Sequence, residues 1–182
     1  MEVLVDNSTV MILMVRAAGG SVDGRTTLQK WFYFASVKTG MDFGFIPHFY
    51  GPYSDVVSRT INSLIASDFL LETGRLTHFD RVMYMYTLTD DGKKIAEDLK
   101  ETHKKLYNTL KEVVDTCTNV AGNNINILSW AAKVYYLLQR QGKQITYAEI
   151  RNMAESLGWQ LSEPEIDSGV KLLSALELAS KD

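Results

Sequence analysis

The apolar positions of this chain change their spacing partway along. Up to residue 66 they recur at helical intervals. Met11, Met14, Val15 and Ala18 share one face, Leu28, Trp31, Phe32 and Ala35 a second, and Val57, Ile61, Leu64 and Ile65 a third. Each run has a start signal: Ser8 can cap the first helix, Thr26 with Gln29 three residues on makes a capping box for the second, and Ser54 followed by Asp55 suits the third. Gly19-Gly20 and Gly40 supply stops. After Leu70 and Leu71 the period falls to two, with Val82, Tyr84, Tyr86 and Leu88 alternating with Met83, Met85 and Thr87. This predicts a two-stranded ribbon with its tip between Gly74 and Arg81, from which Arg75, His78 and Arg81 could reach outward. Three helices and a ribbon in this order read as a winged helix-turn-helix over residues 1–89.

Thr89 then caps a new helix with Asp90 and Asp91 in its first turn. Residues 90–121 read as one long helix, with Ile95, Leu99, Leu106, Leu110, Val113 and Cys117 near a seven-residue repeat and Thr102 filling the gap. About 30 residues of helix would be about 45 Å long, which suits either a strut between domains or the seam of a homodimer. Ala121-Gly122-Asn123-Asn124 is a loop by composition. Residues 122–182 then predict a three-helix subdomain: Ile127 to Leu138, a helix opened by the capping box Thr146 to Glu149, and one opened by Ser162 to Glu165 with Pro164 in its first turn. Its last helix begins with Glu163, Glu165 and Asp167, which phosphate would repel. The expected fold class is mostly α with a small β wing (α+β).

Length and composition agree with a compact protein. The chain has 182 residues, 46% hydrophobic and 23% charged, enough for a sizeable core. No apolar run approaches the roughly 20 residues a bilayer span needs, so no membrane partner is expected. Met1 to Asn7 lacks the features of a signal peptide, which makes a cytoplasmic location the expectation. One cysteine, Cys117, and three scattered histidines, His48, His78 and His103, supply neither a disulfide framework nor metal-ligand spacing. No metal or cofactor is expected.

Charge bears on the function a winged helix suggests. The net charge is −3, and residues 1–66 balance five basic side chains (Arg16, Arg25, Lys30, Lys38, Arg59) against five acids (Glu2, Asp6, Asp23, Asp42, Asp55), whereas a dedicated nucleic-acid module usually presents a basic surface. If the third helix enters the major groove of double-stranded DNA, its outward positions are Asp55, Ser58, Arg59, Asn62 and Ser63. Arg59 and Asn62 are the base readers among them. Arg25, Lys30, Arg75 and Arg81 are the further candidates for phosphate. A solvated helix face is the alternative reading of the same residues.

The turn Tyr50-Gly51-Pro52-Tyr53-Ser54 has two readings. As structure, Gly51 permits a tight turn, Pro52 stiffens it and Ser54 opens the next helix. As function, amides at the helix start beside two tyrosines could hold an anion or the end of a partner peptide. The run Leu28-Gln29-Lys30-Trp31-Phe32-Tyr33-Phe34, this turn, and the ending Tyr86-Thr87-Leu88-Thr89 to Gly92 resemble the YwgA-type uncharacterised winged-helix proteins. More distantly, the first two resemble the phage-associated antitoxin-like (Panacea) domain. The resemblance spans roughly residues 8–100. For the first group it implies a winged-helix fold with no settled activity; for the second, neutralisation of a toxin by direct protein contact.

Enzymatic motifs are missing: there is no GxSxG, Walker loop, HExxH or dinucleotide fingerprint. The acid pairs Asp90-Asp91 and Glu163-Glu165 sit where a helix dipole favours them, and His48 between Pro47 and Phe49 reads as a partly buried structural histidine. Two expectations follow. One is a winged-helix transcription regulator on DNA, dimeric through residues 90–120. The other is an antitoxin-type module that binds a partner protein through Tyr50, Gly51, Pro52, Tyr53 and Ser54 and exposed aromatics of the second helix. The aromatic set Trp31 to Phe34 is otherwise core.

Overall fold

A computed structural model describes residues 5–76, 81–142 and 144–180. The chain forms two compact units, one of Met1–Gly44 and Ser54–Val114, the other of Phe45–Tyr53 and Asp115–Asp182. The architecture is mostly helical with a three-stranded antiparallel sheet. Among the described residues no helix is long and apolar enough to cross a membrane.

In the first unit, α1 (Asn7–Ala17) is buried on all sides from Val10 to Val15, because this helix is apolar all round rather than along the single stripe expected. Asp6, not Ser8, caps it, accepting from the Thr9 amide at 2.7 Å. The next element, β1 (Ser21–Asp23), leads into α2 (Arg25–Thr39). The expected Thr26–Gln29 capping box is absent. Gly24 stands at the N-cap, and the Gln29 side chain reaches instead to Ser54, whose amide donates to Oε1 at 2.9 Å and whose carbonyl accepts from Nε2 at 2.9 Å. All eight residues from Leu28 to Ala35 are buried. Phe32 packs edge-on against Phe43, ring centroids 5.2 Å apart, and full burial of a side chain of this size is worth about 1.5–3 kcal/mol. The α3 helix (Asp55–Ala66) is capped by Ser54 as expected, with Val57, Ile61 and Leu64 turned into the core.

The ribbon is β2 (Leu70–Leu76) paired with β3 (Val82–Leu88), from Leu70 opposite Leu88 to Leu76 opposite Val82. It is not two-stranded: β1 adds to the other side of β3, Val22 opposite Tyr86, giving the order β1-β3-β2. His78 and the ribbon tip lie outside the described residues. Thr89 caps α4 (Asp90–Thr102) as expected, accepting from Gly92 at 3.0 Å. Gly92 is needed there, since a Cβ would come 2.2 Å from the Phe69 carbonyl oxygen.

The long helix expected over residues 90–121 is two helices, α4 and α5 (Lys104–Ala121), broken at His103 (φ −119°, ψ 45°). Thr102 turns its hydroxyl back on the Asp98 carbonyl at 2.5 Å, the kind of bond that bends helices. Half of the stripe read as a dimer seam is covered within the chain, with Leu110, Val113 and Cys117 at most 1% exposed, while Ile95, Leu99 and Leu106 are only half-buried. Burial pushes the Cys117 thiol far up, so it is inert at neutral pH. The boundary between the units falls inside α5, after Val114.

The second unit contains α6 (Ile125–Gln141), α7 (Tyr147–Ser156) and α8 (Glu163–Ala175). Both expected capping boxes are present: Glu149 accepts from the Thr146 amide at 2.7 Å and Glu165 from the Ser162 amide at 2.7 Å. The helices α6 and α8 close up at Gly169, where a Cβ would sit 3.0 Å from the Ala131 amide nitrogen. Residues 45–53 belong to this unit as a hairpin with Ile46 bridged to Tyr53. The units therefore divide the chain differently from the expected boundaries 1–89, 90–121 and 122–182.

Candidate interaction surfaces

On the first unit, the residues proposed to touch DNA separate into buried, engaged and exposed groups. Lys30 is 2% exposed on the all-buried stretch of α2, and cannot reach a phosphate. Ser58 is 9% exposed and accepts from Gln29 Nε2 at 3.3 Å, so it is not on the outer face of α3. Arg25 is turned onto its own fold. It donates through Nε to the Tyr86 hydroxyl at 3.1 Å and through Nη2 to Asn62 Oδ1 at 3.1 Å and Glu72 Oε2 at 3.2 Å, while Tyr86 donates to the same Glu72 oxygen at 2.6 Å.

This network ties the start of α2 to α3 and to both strands of the ribbon, and Glu72 cancels the charge Arg25 would bring to DNA. Burial pulls the Arg25 guanidinium down, but its bonds to Tyr86 and Glu72 outweigh this and leave it above its ordinary range. Burial first, and the Glu72 carboxylate second, push the Tyr86 phenol up. Asn62 stays exposed but is engaged by Arg25. Arg59 on α3, Arg75 on β2 and Arg81 remain exposed.

The proposed anion site at the start of α3 is filled by the protein itself. Ser54 is fully buried; its hydroxyl donates to the Phe43 carbonyl at 2.5 Å and accepts from the Val57 amide at 3.1 Å, while its own amide is held by Gln29. The aromatics of the second helix are likewise withdrawn, Trp31, Phe32, Tyr33 and Phe34 all being 7% exposed or less.

On the second unit, the hairpin closes with four backbone bonds: Ile46 and Tyr53 exchange both of theirs at 2.9 Å, and His48 and Gly51 exchange theirs at 3.2 and 2.9 Å. A two-residue tip, Phe49-Tyr50, is left between them. Phe49 is 71% exposed and Tyr50 59%, with their rings edge to face at 4.9 Å; Ile46, opposite Tyr53 in the same hairpin, is 56% exposed. Of the partner-binding residues expected from the sequence, only Tyr50 projects. Gly51 and Pro52 are buried, and Tyr53 is half-buried with its ring 5.0 Å from that of His48. His48 is exposed, not partly buried.

The hairpin has an anchor in its own unit. The Trp159 indole, 2% exposed, donates through Nε1 to the His48 carbonyl at 2.7 Å and packs edge-on against Tyr136. Lys133 Nζ lies over the Trp159 ring at 5.6 Å, and burial draws this lysine down against the opposing pull of Glu165. Sequence reasoning missed Phe49, Ile46 and Trp159 as one assembly. The signal available was two adjacent aromatics before a Gly-Pro turn, a pattern that core strands also show. No protein-family model matches the chain, and no curated protein matches it.

Proposed function

We propose that this chain is a non-catalytic protein-interaction module that docks a partner protein through the aromatic tip of the 45–53 hairpin. The observation that carries the reading is Phe49 and Tyr50, more than half exposed on a turn closed by backbone bonds and pinned by Trp159. Aromatic side chains with few rotatable bonds, held in place before binding, are what interface hot spots are made of. Isolated exposed apolar residues are ordinary, but two exposed aromatic rings in contact on an ordered turn form a patch. The partner it fits presents a concave apolar pocket.

The test is a photo-crosslinking amino acid placed at position 49 of the full chain in its native cells, with the same amino acid at exposed Asn152 as control. A discrete adduct specific to position 49, lost when Tyr50→Ser is added, supports the reading. An adduct pattern shared by the two positions overturns it.

A second reading is a winged-helix DNA-binding protein. It is supported by the element order α1-β1-α2-α3-β2-β3, by the sheet order β1-β3-β2, and by exposed Arg59, Arg75 and Arg81. Against it stand the net charge of −3 and the withdrawal of Lys30, Ser58 and Arg25 from solvent or into the fold. Fluorescence anisotropy on a random duplex across a salt series decides it. Binding that falls steeply with salt, with Arg59→Ala losing about 1–3 kcal/mol and Arg75→Ala or Arg81→Ala each reducing the salt slope by about one, establishes it. No binding at low salt retires it.

A further inference from the structure

We propose that the cavity framed by α6, α7 and the segment after α8 is a binding site for a small, uncharged, largely apolar molecule with one or two hydrogen-bonding groups. It lies wholly within the second unit and has a volume of about 850 Å³, inside the roughly 300–1,000 Å³ of small-molecule sites. The face of α6 that lines it, Tyr135, Leu138, Gln139 and Gly142, is not the face that holds the hairpin, where Lys133 and Tyr136 meet Trp159. The site is therefore distinct from the docking tip.

Each wall is set by its own bonds. Gly142 ends α6 at φ 60°, with its amide on the Leu138 carbonyl at 3.3 Å. The Thr146–Glu149 capping box then opens α7, which fixes the rim next to Ile145. Tyr147 donates its hydroxyl to Asp167 of α8, and this holds its ring in the wall. After α8, Glu177 takes a left-handed φ of 58°, uncommon for a residue other than glycine, and the Leu178 amide donates to the Leu173 carbonyl at 2.8 Å. That turn brings Leu178, Ala179 and Ser180 into the lining. A cavity built this way is preformed, which spares a ligand the cost of ordering it.

The lining selects the ligand. Val134 and Ile150 are buried, while Leu138, Ile145, Val170 and Leu178 keep part of their surface in water. A ligand that covers this remaining surface is held by the hydrophobic effect. Polar atoms come from Gln139, Gln144, Thr146 and Ser180, all exposed, and from the Tyr135 phenol. Burial pushes that phenol up, against a bond with Gln139 that draws it down, so it is neutral at physiological pH. None of the described lining residues is charged at that pH, and an ion moved from water into apolar surroundings needs a partner of opposite charge. Asp167 beside Tyr147 further disfavours an anion. What fits is an apolar body whose few polar atoms meet amides and hydroxyls.

The test titrates the full chain, up to about 200 µM, into about 1 µM N-phenyl-1-naphthylamine, an uncharged aromatic probe that brightens in apolar surroundings. Wild type should saturate as a single site. Val170→Phe and Ala179→Phe fill the cavity from two different walls and should each weaken binding about tenfold or more. Far-ultraviolet circular dichroism reports that each variant is folded, and either one suffices. The anionic analogue anilinonaphthalenesulfonate should bind wild type about tenfold more weakly than the neutral probe. Absence of saturable binding overturns the proposal, as does binding that survives in a folded filled variant. Binding lost in Phe49→Ser instead overturns it too, because the probe then sits on the hairpin tip. A sulfonate bound as tightly as the neutral probe overturns the uncharged class.

Discussion

Gln29 offers the sharpest test of how the first unit is held together. Replacing it with methionine keeps the length and roughly the volume of the side chain, so the cavity contribution is small. What is lost is its pair of bonds to Ser54, both 2.9 Å, and the longer one to Ser58 Oγ. The two Ser54 groups do not suffer equally. Its carbonyl still accepts from the Ser58 amide at 3.2 Å as the first bond of α3, so the loss there is about 1 kcal/mol. Its amide is held by Gln29 Oε1 and Ser54 is fully buried, so the substitution strands a buried donor, which costs about 1–3 kcal/mol. The sum is about 2–4 kcal/mol. With a urea m-value of about 2 kcal/mol/M, the unfolding midpoint should fall by about 1–2 M.

Native-state hydrogen exchange gives the local reading, because the Ser54 amide should change from slow to fast exchange. A companion substitution separates the two roles open to Gln29. Were it half of a capping box, Thr26→Ala would cost about 1 kcal/mol; with Gly24 at the N-cap and Thr26 inside the first turn, the loss should stay below about 0.5 kcal/mol. The reasoning fails if Gln29→Met leaves the midpoint within about 0.3 M of wild type and Ser54 protected, or if Thr26→Ala is the costlier change.

Three further outcomes follow from individual contacts. Gly92→Ala forces a Cβ against the Phe69 carbonyl, backbone against backbone, and should lower stability by about 2 kcal/mol or more in a urea melt. Trp159→Phe keeps an aromatic ring but deletes the bond to His48; exchange at the Ile46, Gly51 and Tyr53 amides should accelerate, with a loss of about 1–2 kcal/mol in the second unit. Tyr86 is held above its ordinary pKa of 10.0 by burial and by Glu72. The folded state therefore keeps a proton that the unfolded chain releases, and the associated stability is present below about pH 10 and lost as pH rises past it. Urea midpoints at about pH 8, 10 and 11 should fall more steeply for wild type than for Tyr86→Phe.

The parts of this fold legible in the sequence are those whose cause is local. The caps at Ser54, Thr89, Thr146 and Ser162 depend on residues at most three positions apart, and the Gly40 stop on one glycine. Strand β1 was not legible, because three residues are too few to show a period and its pairing to β3 spans more than sixty positions. The break at His103 was hidden for the opposite reason: the apolar repeat runs straight through it, and Thr102 fits the pattern. Ser58 reads as outward by counting from apolar neighbours, a method that presupposes one dry face and one wet face, and Lys30 reads as outward from its charge alone. From Leu28 to Ala35, α2 has no wet face.

The Tyr-Gly-Pro-Tyr-Ser turn shows why a recognisable motif and a functional surface need not coincide. Its most regular members carry out structural duties. Ser54 caps a helix and satisfies Phe43 and Gln29, Gly51 closes the hairpin with His48, and Pro52 is buried. Each of those duties restricts the residue type, which is what makes the motif legible. The residues that project, Phe49 and Ile46 with Tyr50, are bounded by no local geometric requirement, so nothing in their spacing sets them apart from core. Their meaning appears only when the hairpin is seen closed and Trp159 is seen holding its backbone. A change at Ser54 or Gly51 should therefore damage folding and binding together, whereas Phe49→Ser should remove partner binding and leave the unfolding midpoint within about 0.5 kcal/mol of wild type. Loss of both in Phe49→Ser would place Phe49 with the structural residues and remove the tip as a docking element.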